Sequence, residues 1–323
     1  MSAPTVYFVC PDYDAPSGGI RVIYRHVEHL VAAGIPAAVV HKAPGFRPTW
    51  FDTGAVPVTS VDAVDPTPAD LLVIPEIYGP DLASIAPGVP KAVFNQNAYN
   101  TFAGYTADPR DLRAPYGHPE VVGAVVVSED NAEYLRYAFP GLDVRRTVNA
   151  VDPARFFPAP KRRRLAYMPR KNAEQALQVI RILAFRGALA DVEVVALDGM
   201  SEDAVAAALR ETLVFLSFGA PEGFGLPPAE AMACGCAVVG YHGMGGREFF
   251  TPDVAVPVTQ GDVVGFARAV EEALATPAAE LEALGARASA AVTARYSPEA
   301  ERASVVETWG ALLAGRPALA AAA

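Results

Sequence analysis

Glu222 and Glu230 stand eight positions apart in the stretch APEGFGLPPAEAM (220–232), separated by two glycines and a double proline. A carboxylate accepts hydrogen bonds from two donors at once, so it suits the vicinal hydroxyls of a sugar. Gly223 and Gly225, with Phe224 and Leu226, place main-chain N–H groups between the two carboxylates, where a sugar or phosphate oxygen would find donors. The arrangement suits a nucleotide sugar: one carboxylate for a ribose, one for the transferred sugar, amides for the charge between them. Two other readings stay open. Glu230 could be ordinary acidity near a helix N-terminus with Glu222 a solvated loop residue, or the pair could be the two carboxylates of a glycoside hydrolase.

Two further loops carry residues of the same kind. PDYDAPSGGIR (11–21) places Ser17, Gly18 and Gly19 at the start of a helix, where a ligand can approach the backbone and the helix N-terminus favours an anion. It is neither a dinucleotide fingerprint nor a Walker loop. MPRKNAEQ (168–175) sets Arg170 and Lys171 beside a helix start, with Asn172 and Gln175 spaced as a capping box. Two cations there oppose the helix dipole unless an anion lies between them, as a diphosphate would. Asp12-Tyr13-Asp14 reads as loop chemistry rather than a metal site. His26 and His29 lack a third ligand and read as surface or partly buried helix residues. Tyr99 and Phe102 could border an acceptor or simply pack.

These loops need strands and helices to hold them. TVYFVC (5–10), PAAVVH, DLLVIPE (70–76), KAVFNQN (91–97) and GAVVVSE (123–129) are short apolar runs bounded by turn residues, as strands covered on both faces are. Ile20 to Ala33 has helical spacing and ends at Gly34. The plan repeats: strands over 163–169, 192–197, 213–218 and 237–242, helices over 173–185 and 201–209. After Asp262 come helices broken at Pro277 and near Pro298. Alternation of this kind predicts α/β architecture, two doubly wound Rossmann-like domains facing a cleft. We expect an N-terminal, acceptor-side domain over 1–150, a C-terminal nucleotide-sugar domain over 151–296, a helix over 297–315 packing back on the first domain, and a disordered tail over 316–323. NAVDPARFFPAPKRRR (149–164) reads as the linker.

Composition sets the outer limits. The 323 residues are 52% hydrophobic and 19% charged, enough apolar surface for two cores and too much for disorder. A net charge of −10 disfavours a nucleic-acid partner. Lys161 to Arg164 is a local basic run, a solvated face or an anion or membrane contact. No apolar run is long enough to span a bilayer, the N-terminus has no signal-peptide pattern, and Cys10, Cys234 and Cys236 fit reduced, partly buried thiols. We therefore expect a cytoplasmic protein, with peripheral contact at a membrane.

SFGAPEGFGLPPAEAMACGCAVVGYHGMGGREF (217–249) closely resembles the E-x7-E region of family 4 retaining glycosyltransferases of the GT-B fold, through Glu222 to Leu226, Glu230 to Ala233, Gly235, Gly245, Gly246 and Glu248. NAVDPARFFP resembles that family's interdomain segment and SGGIRVIYRHVEHLVAAGI its N-terminal Gly-Gly helix. The resemblance implies that Glu230 holds the ribose, that Glu222 lies near the donor sugar and that Arg170 and Lys171 neutralise the diphosphate. It also implies front-face, retaining hexosyl or deoxyhexosyl transfer without a protein nucleophile. Asn97, or Asn95, stands where the family often has a histidine, Arg170 and Lys171 are adjacent rather than spaced, and Ala150 and Ala237 replace a glycine and a proline. The expected donor is a nucleoside diphosphate sugar, with no cofactor and no metal, and the expected acceptor a glycan or lipid-linked glycan in polysaccharide or glycoconjugate synthesis. A non-catalytic scaffold of the same fold, or a nucleotide-sugar epimerase or hydrolase, are the alternatives.

Overall fold

The computed structural model describes residues 3–110 and 115–315; the tail assigned to 316–323 lies outside them. Two compact units result. One joins the described residues up to Asn149 to those from Glu301 onward, and the other runs from Ala150 to Ala300.

In the first unit, strands β1 (Val6–Val9), β2 (Ala37–His41), β3 (Val58–Ser60), β4 (Leu71–Pro75), β5 (Lys91–Asn95), β6 (Val121–Val126) and β7 (Val144–Arg146) form a parallel sheet. Their spatial order is β3-β2-β1-β4-β5-β6-β7. Helix α1 (Gly18–Ala32) follows β1, and α2 (Glu129–Ala138) follows β6. Every residue of β4 and β5 is buried, which is why LLVIP of β4 and the central AVF of β5 run apolar without alternation. The chain reverses direction across the sheet between β1 and β4, so the loops after those two strands flank a topological switch point, the usual place for a ligand on such a sheet.

The second unit repeats the arrangement with β8 (Arg162–Tyr167), α3 (Ala173–Phe185), β9 (Glu193–Ala196), α4 (Glu202–Glu211), β10 (Thr212–Phe218), α5 (Leu226–Ala233), β11 (Ala237–Tyr241) and β12 (Val256–Pro257). Helices α6 (Val263–Ala275) and α7 (Ala278–Arg295) complete it. Its parallel sheet has the order β12-β11-β10-β8-β9, so β8 and β10 flank the switch point here. Helix α8 (Pro298–Ala314) belongs to the first unit from Glu301 on. Buried Glu301 accepts from Arg25 Nε at 2.8 Å and lies 3.0 Å from His29 Nε2. Buried Trp309 donates its indole N–H to His26 Nδ1 at 3.0 Å. His26 thus lies fully inside, stacked on Phe94, rather than at or near the surface, and burial pulls its pKa down to about 3.

The basic run divides: Arg162 and Arg163 are exposed, as in a solvated face, whereas Arg164 is buried. Arg162 already belongs to β8, so the linker stops short of it. Lys161 Nζ donates to the carbonyls of Arg210 at 2.9 Å and Cys234 at 2.6 Å, neutralising the ends of α4 and α5. Arg162 pairs with Glu211, Arg163 with Asp191 and Arg164 with Glu193. Each cation of the run has an intramolecular partner. Among the described residues no helix is long and apolar enough to cross a membrane.

Candidate functional site

The site is built around the switch point of the second sheet. After β10 the chain passes Gly219 and enters the loop Glu222–Gly225, whose last residue takes the left-handed conformation (φ 94°) and starts α5 with prolines in its first turn. A second loop, His242–Gly246 after β11, lies against it backbone to backbone. The Glu222 amide donates to Gly243 O at 2.9 Å, and the Gly245 amide donates to Glu222 O at 3.1 Å. A Cβ on Gly245 would sit 2.1 Å from the Gly223 carbonyl oxygen, so only glycine permits this approach. His242 Nδ1 accepts from the Met244 amide at 3.0 Å and fixes the turn.

The stitched loop leaves donors over. Among the described residues, the amides of Gly223, Phe224, Gly225 and Leu226 meet no acceptor, and Pro227 and Pro228 carry no N–H. An N-terminal helix end of this kind receives an anion or a sugar oxygen. The Phe224 ring itself is buried against Phe249 and Tyr296, so that residue offers its main chain and not its side chain. Glu248 is likewise engaged, accepting from Tyr296 Oη at 2.6 Å.

The loop after β8 reaches this one. Lys171 Nζ and the Glu222 carboxylate form an ion pair, with the lysine partly exposed and the carboxylate mostly covered. Asn172 was expected to cap α3 through its side chain with Gln175. Instead it takes the left-handed conformation (φ 49°) and its Nδ2 donates to the carbonyls of Phe218 at 2.9 Å and Gly219 at 3.2 Å. Those end-of-strand carbonyls compete successfully for the side chain, and the two loops are tied together in consequence. Arg170 is exposed and makes no ion pair among the described residues. Glu230 is buried one turn into α5. The structure therefore brings together Lys171, Glu222 and the Gly223–Leu226 amides. Lys171→Ala should change stability by about 1 kcal/mol or less, since the cation is partly solvated. Turnover of a diphosphate-bearing donor should fall roughly a hundredfold. Urea titration and initial rates check the two halves separately.

In the first unit, Gly18 and Gly19 begin α1, with Ser17 preceding it as an N-cap whose side chain makes no capping bond. Asn97 Oδ1 accepts from the Tyr99 amide at 3.2 Å. Asn95 points inward instead, donating to Thr101 Oγ1 and Tyr116 Oη, each at 2.8 Å, which removes it as a ligand group. Asp12 accepts from His41 and the Lys42 and Ala43 amides, and Asp14 from Thr49, so this pair staples its loop as the sequence suggested. Among the described residues no cluster of three or more His, Cys, Asp or Glu could hold a metal ion. Tyr99 and Phe102 are exposed, and Tyr99 Oη donates to Asp130 Oδ2 at 3.0 Å.

One residue was missed. Glu76 follows β4 directly and is buried, and burial pushes its carboxyl pKa up to about 7. The apolar run DLLVIPE contains it, and a single charged residue closing such a run was the available signal. Because its folded pKa lies above the unfolded one, its contribution to stability is complete below about pH 4.5 and is lost as pH rises through about 7. In urea titrations the stability difference between Glu76→Gln and the parent should therefore move in the variant's favour as pH rises from 5 to 8, whatever its value at pH 5. Parallel pH curves for the two proteins would contradict this.

Two Rossmann-like units with parallel sheets and ligand loops at their switch points define the GT-B fold, the fold of the solved glycosyltransferases that this chain resembles. A family model described as "Glycosyl transferase-like" matches residues 171–306. An alpha-1,6-glucosyltransferase of Actinobacillus pleuropneumoniae serotype 7 (strain AP76) is 26% identical over 272 residues, 80% of each protein. Among solved structures, sucrose-phosphate synthase from Thermosynechococcus elongatus superposes with TM-score 0.72 at 16% identity, covering 97% of this chain and all of that one. HepE from Anabaena, solved with UDP and glucose, gives TM-score 0.68 at 14% identity with the same coverage.

Proposed function

We propose that this protein transfers a hexosyl or deoxyhexosyl group from a nucleoside diphosphate sugar to an acceptor hydroxyl, retaining the anomeric configuration and using no metal. The observation that carries the reading is the meeting at one switch point of Lys171, Glu222 and the Gly223–Leu226 amides, which meet no acceptor among the described residues. In the reaction the bond from the sugar C1 to the β-phosphate oxygen breaks, and the electron pair leaves with the diphosphate. Lys171, Arg170 and the α5 amides neutralise that charge where it develops, in a setting already organised before substrate arrives. Glu230 receives the ribose hydroxyls, and Glu222 orients the sugar once Lys171 turns to the phosphate. The acceptor oxygen attacks the face the diphosphate leaves, and its proton passes to a departing phosphate oxygen.

The likeness to an alpha-1,6-glucosyltransferase and to a structure holding UDP and glucose makes UDP-glucose the first donor to try. For the acceptor we propose a glycan or lipid-linked glycan in polysaccharide or glycoconjugate synthesis at the cytoplasmic side of a membrane. The test is proton NMR of UDP-glucose with the protein, with and without oligosaccharide acceptors. An α-linked product supports the reading. A β-linked product overturns retention, and release of free glucose at the same rate with or without acceptors identifies a hydrolase instead.

A further inference from the structure

Glu76 has no part in the chemistry just derived, yet it occupies the switch point of the first sheet, at the end of β4. A buried carboxylate is costly unless its oxygens are satisfied. Glu76 Oε2 accepts from the Gln96 amide at 3.1 Å. Its carboxyl group also engages its own amide, the Asn97 amide and the Asn100 side chain. The Gln96 side chain carries the connection onward, with Nε2 donating to Gly19 O at 3.1 Å. Gly19 lies so close that a Cβ there would stand 3.3 Å from that nitrogen. The segment after Glu76 is held equally tightly, since a Cβ on Gly79 would lie 2.4 Å from Ala103 O. The Glu76 carboxylate thus ties the end of β4 to the turn after β5, and the Gln96 side chain ties that turn to the first residues of α1.

We propose that Glu76 is a positioning residue: its carboxylate sets the Gln96–Asn100 turn that carries Asn97, and through Gln96 it sets the Gly18–Gly19 start of α1. The proposal rests on the glycosyl-transfer reading in one respect, that Asn97 and the Gly18–Gly19 turn belong to its donor-binding residues. A carboxylate accepts from several N–H groups together, whereas a glutamine in its place presents one acceptor and turns an NH2 toward amides that also donate. Glu76→Gln therefore keeps the shape and breaks the tie, and Glu76→Asp keeps the charge on a shorter arm.

Hydrogen exchange on the full chain, read by mass spectrometry, tests the tie without any substrate. In Glu76→Gln the amides of Gln96–Asn100 and of Arg21–Ile23 should exchange about tenfold faster or more, while peptides covering 222–232 stay unchanged. With UDP-glucose, kcat should fall about tenfold while the donor KM moves less than about threefold, because the groups proposed to hold the nucleotide, Glu230 and the α5 amides, are untouched. Glu76→Asp should recover part of both losses. Unchanged exchange at Arg21–Ile23, or an unchanged kcat, would overturn the proposal. If Glu76→Gln does not fold, Glu76→Asp is read by the same criteria. If the parent protein turns over no donor, the glycosyl-transfer reading fails, and the exchange result still decides the role of Glu76.

Discussion

Glu230→Ala should weaken nucleotide binding roughly a hundredfold or more while leaving the protein folded. Glu230 is buried one turn into α5, beside the Gly223–Leu226 amides at the switch point. A carboxylate accepting two ribose hydroxyls makes charge-assisted hydrogen bonds worth about 1.5–3 kcal/mol each, so its removal should cost roughly a hundredfold or more in donor kcat/KM. Fold and function separate in this variant, because α5 is otherwise apolar and alanine is a better helix former than glutamate. A loss of stability without loss of nucleotide affinity would show that Glu230 serves packing alone.

Gly245→Ala should damage the same site from the outside. The added methyl would stand 2.1 Å from Gly223 O and 2.7 Å from Glu222 O, and both neighbours are backbone that cannot rotate away. The two loops must separate, and with them go the two hydrogen bonds between Glu222 and the Gly243–Gly245 turn. We expect a stability loss of about 3 kcal/mol, the upper end for overpacking, which for a unit of this size lowers Tm by roughly 6–12 °C. Donor turnover should fall further than stability accounts for, because Glu222 loses its anchor. Thermal denaturation and initial rates on one preparation give both numbers. An unchanged Tm would mean that the loops are looser than the close approach indicates.

Much of the architecture could be read from the chain because buried parallel strands write themselves as uninterrupted apolar runs. TVYFVC, LLVIP and LVFLSF correspond to β1, β4 and β10, and α1 and α3 carry helical spacing along their whole length. Strands β3 and β7 were not legible: each has three residues, including polar ones, at the sheet's edges, too short to show a period. The loop residues divide in the same way. Glu222, Glu230 and the glycines stand in one contiguous stretch, so their association was local and visible. The pairing of Lys171 with Glu222 spans 51 positions and depends on β8 lying beside β10, which spacing along the chain does not encode. Asn172 misled because a capping pattern is a local preference, and two carbonyls from a distant strand end outweighed it. The contacts of Lys161 and the role of Glu76 were not legible for a related reason: what a charged side chain does is decided by the groups around it in space, here helix-end carbonyls and loop amides.

The central claim, a nucleoside diphosphate held at the switch point of the second unit, is tested most directly by isothermal titration of UDP, GDP, dTDP and ADP into the protein and into Glu230→Ala. The account predicts saturable binding of one of these nucleotides to the parent, with affinity reduced roughly a hundredfold or more in the variant. Binding of equal strength to both proteins would place the nucleotide elsewhere, and no binding of any of the four would contradict the donor site itself.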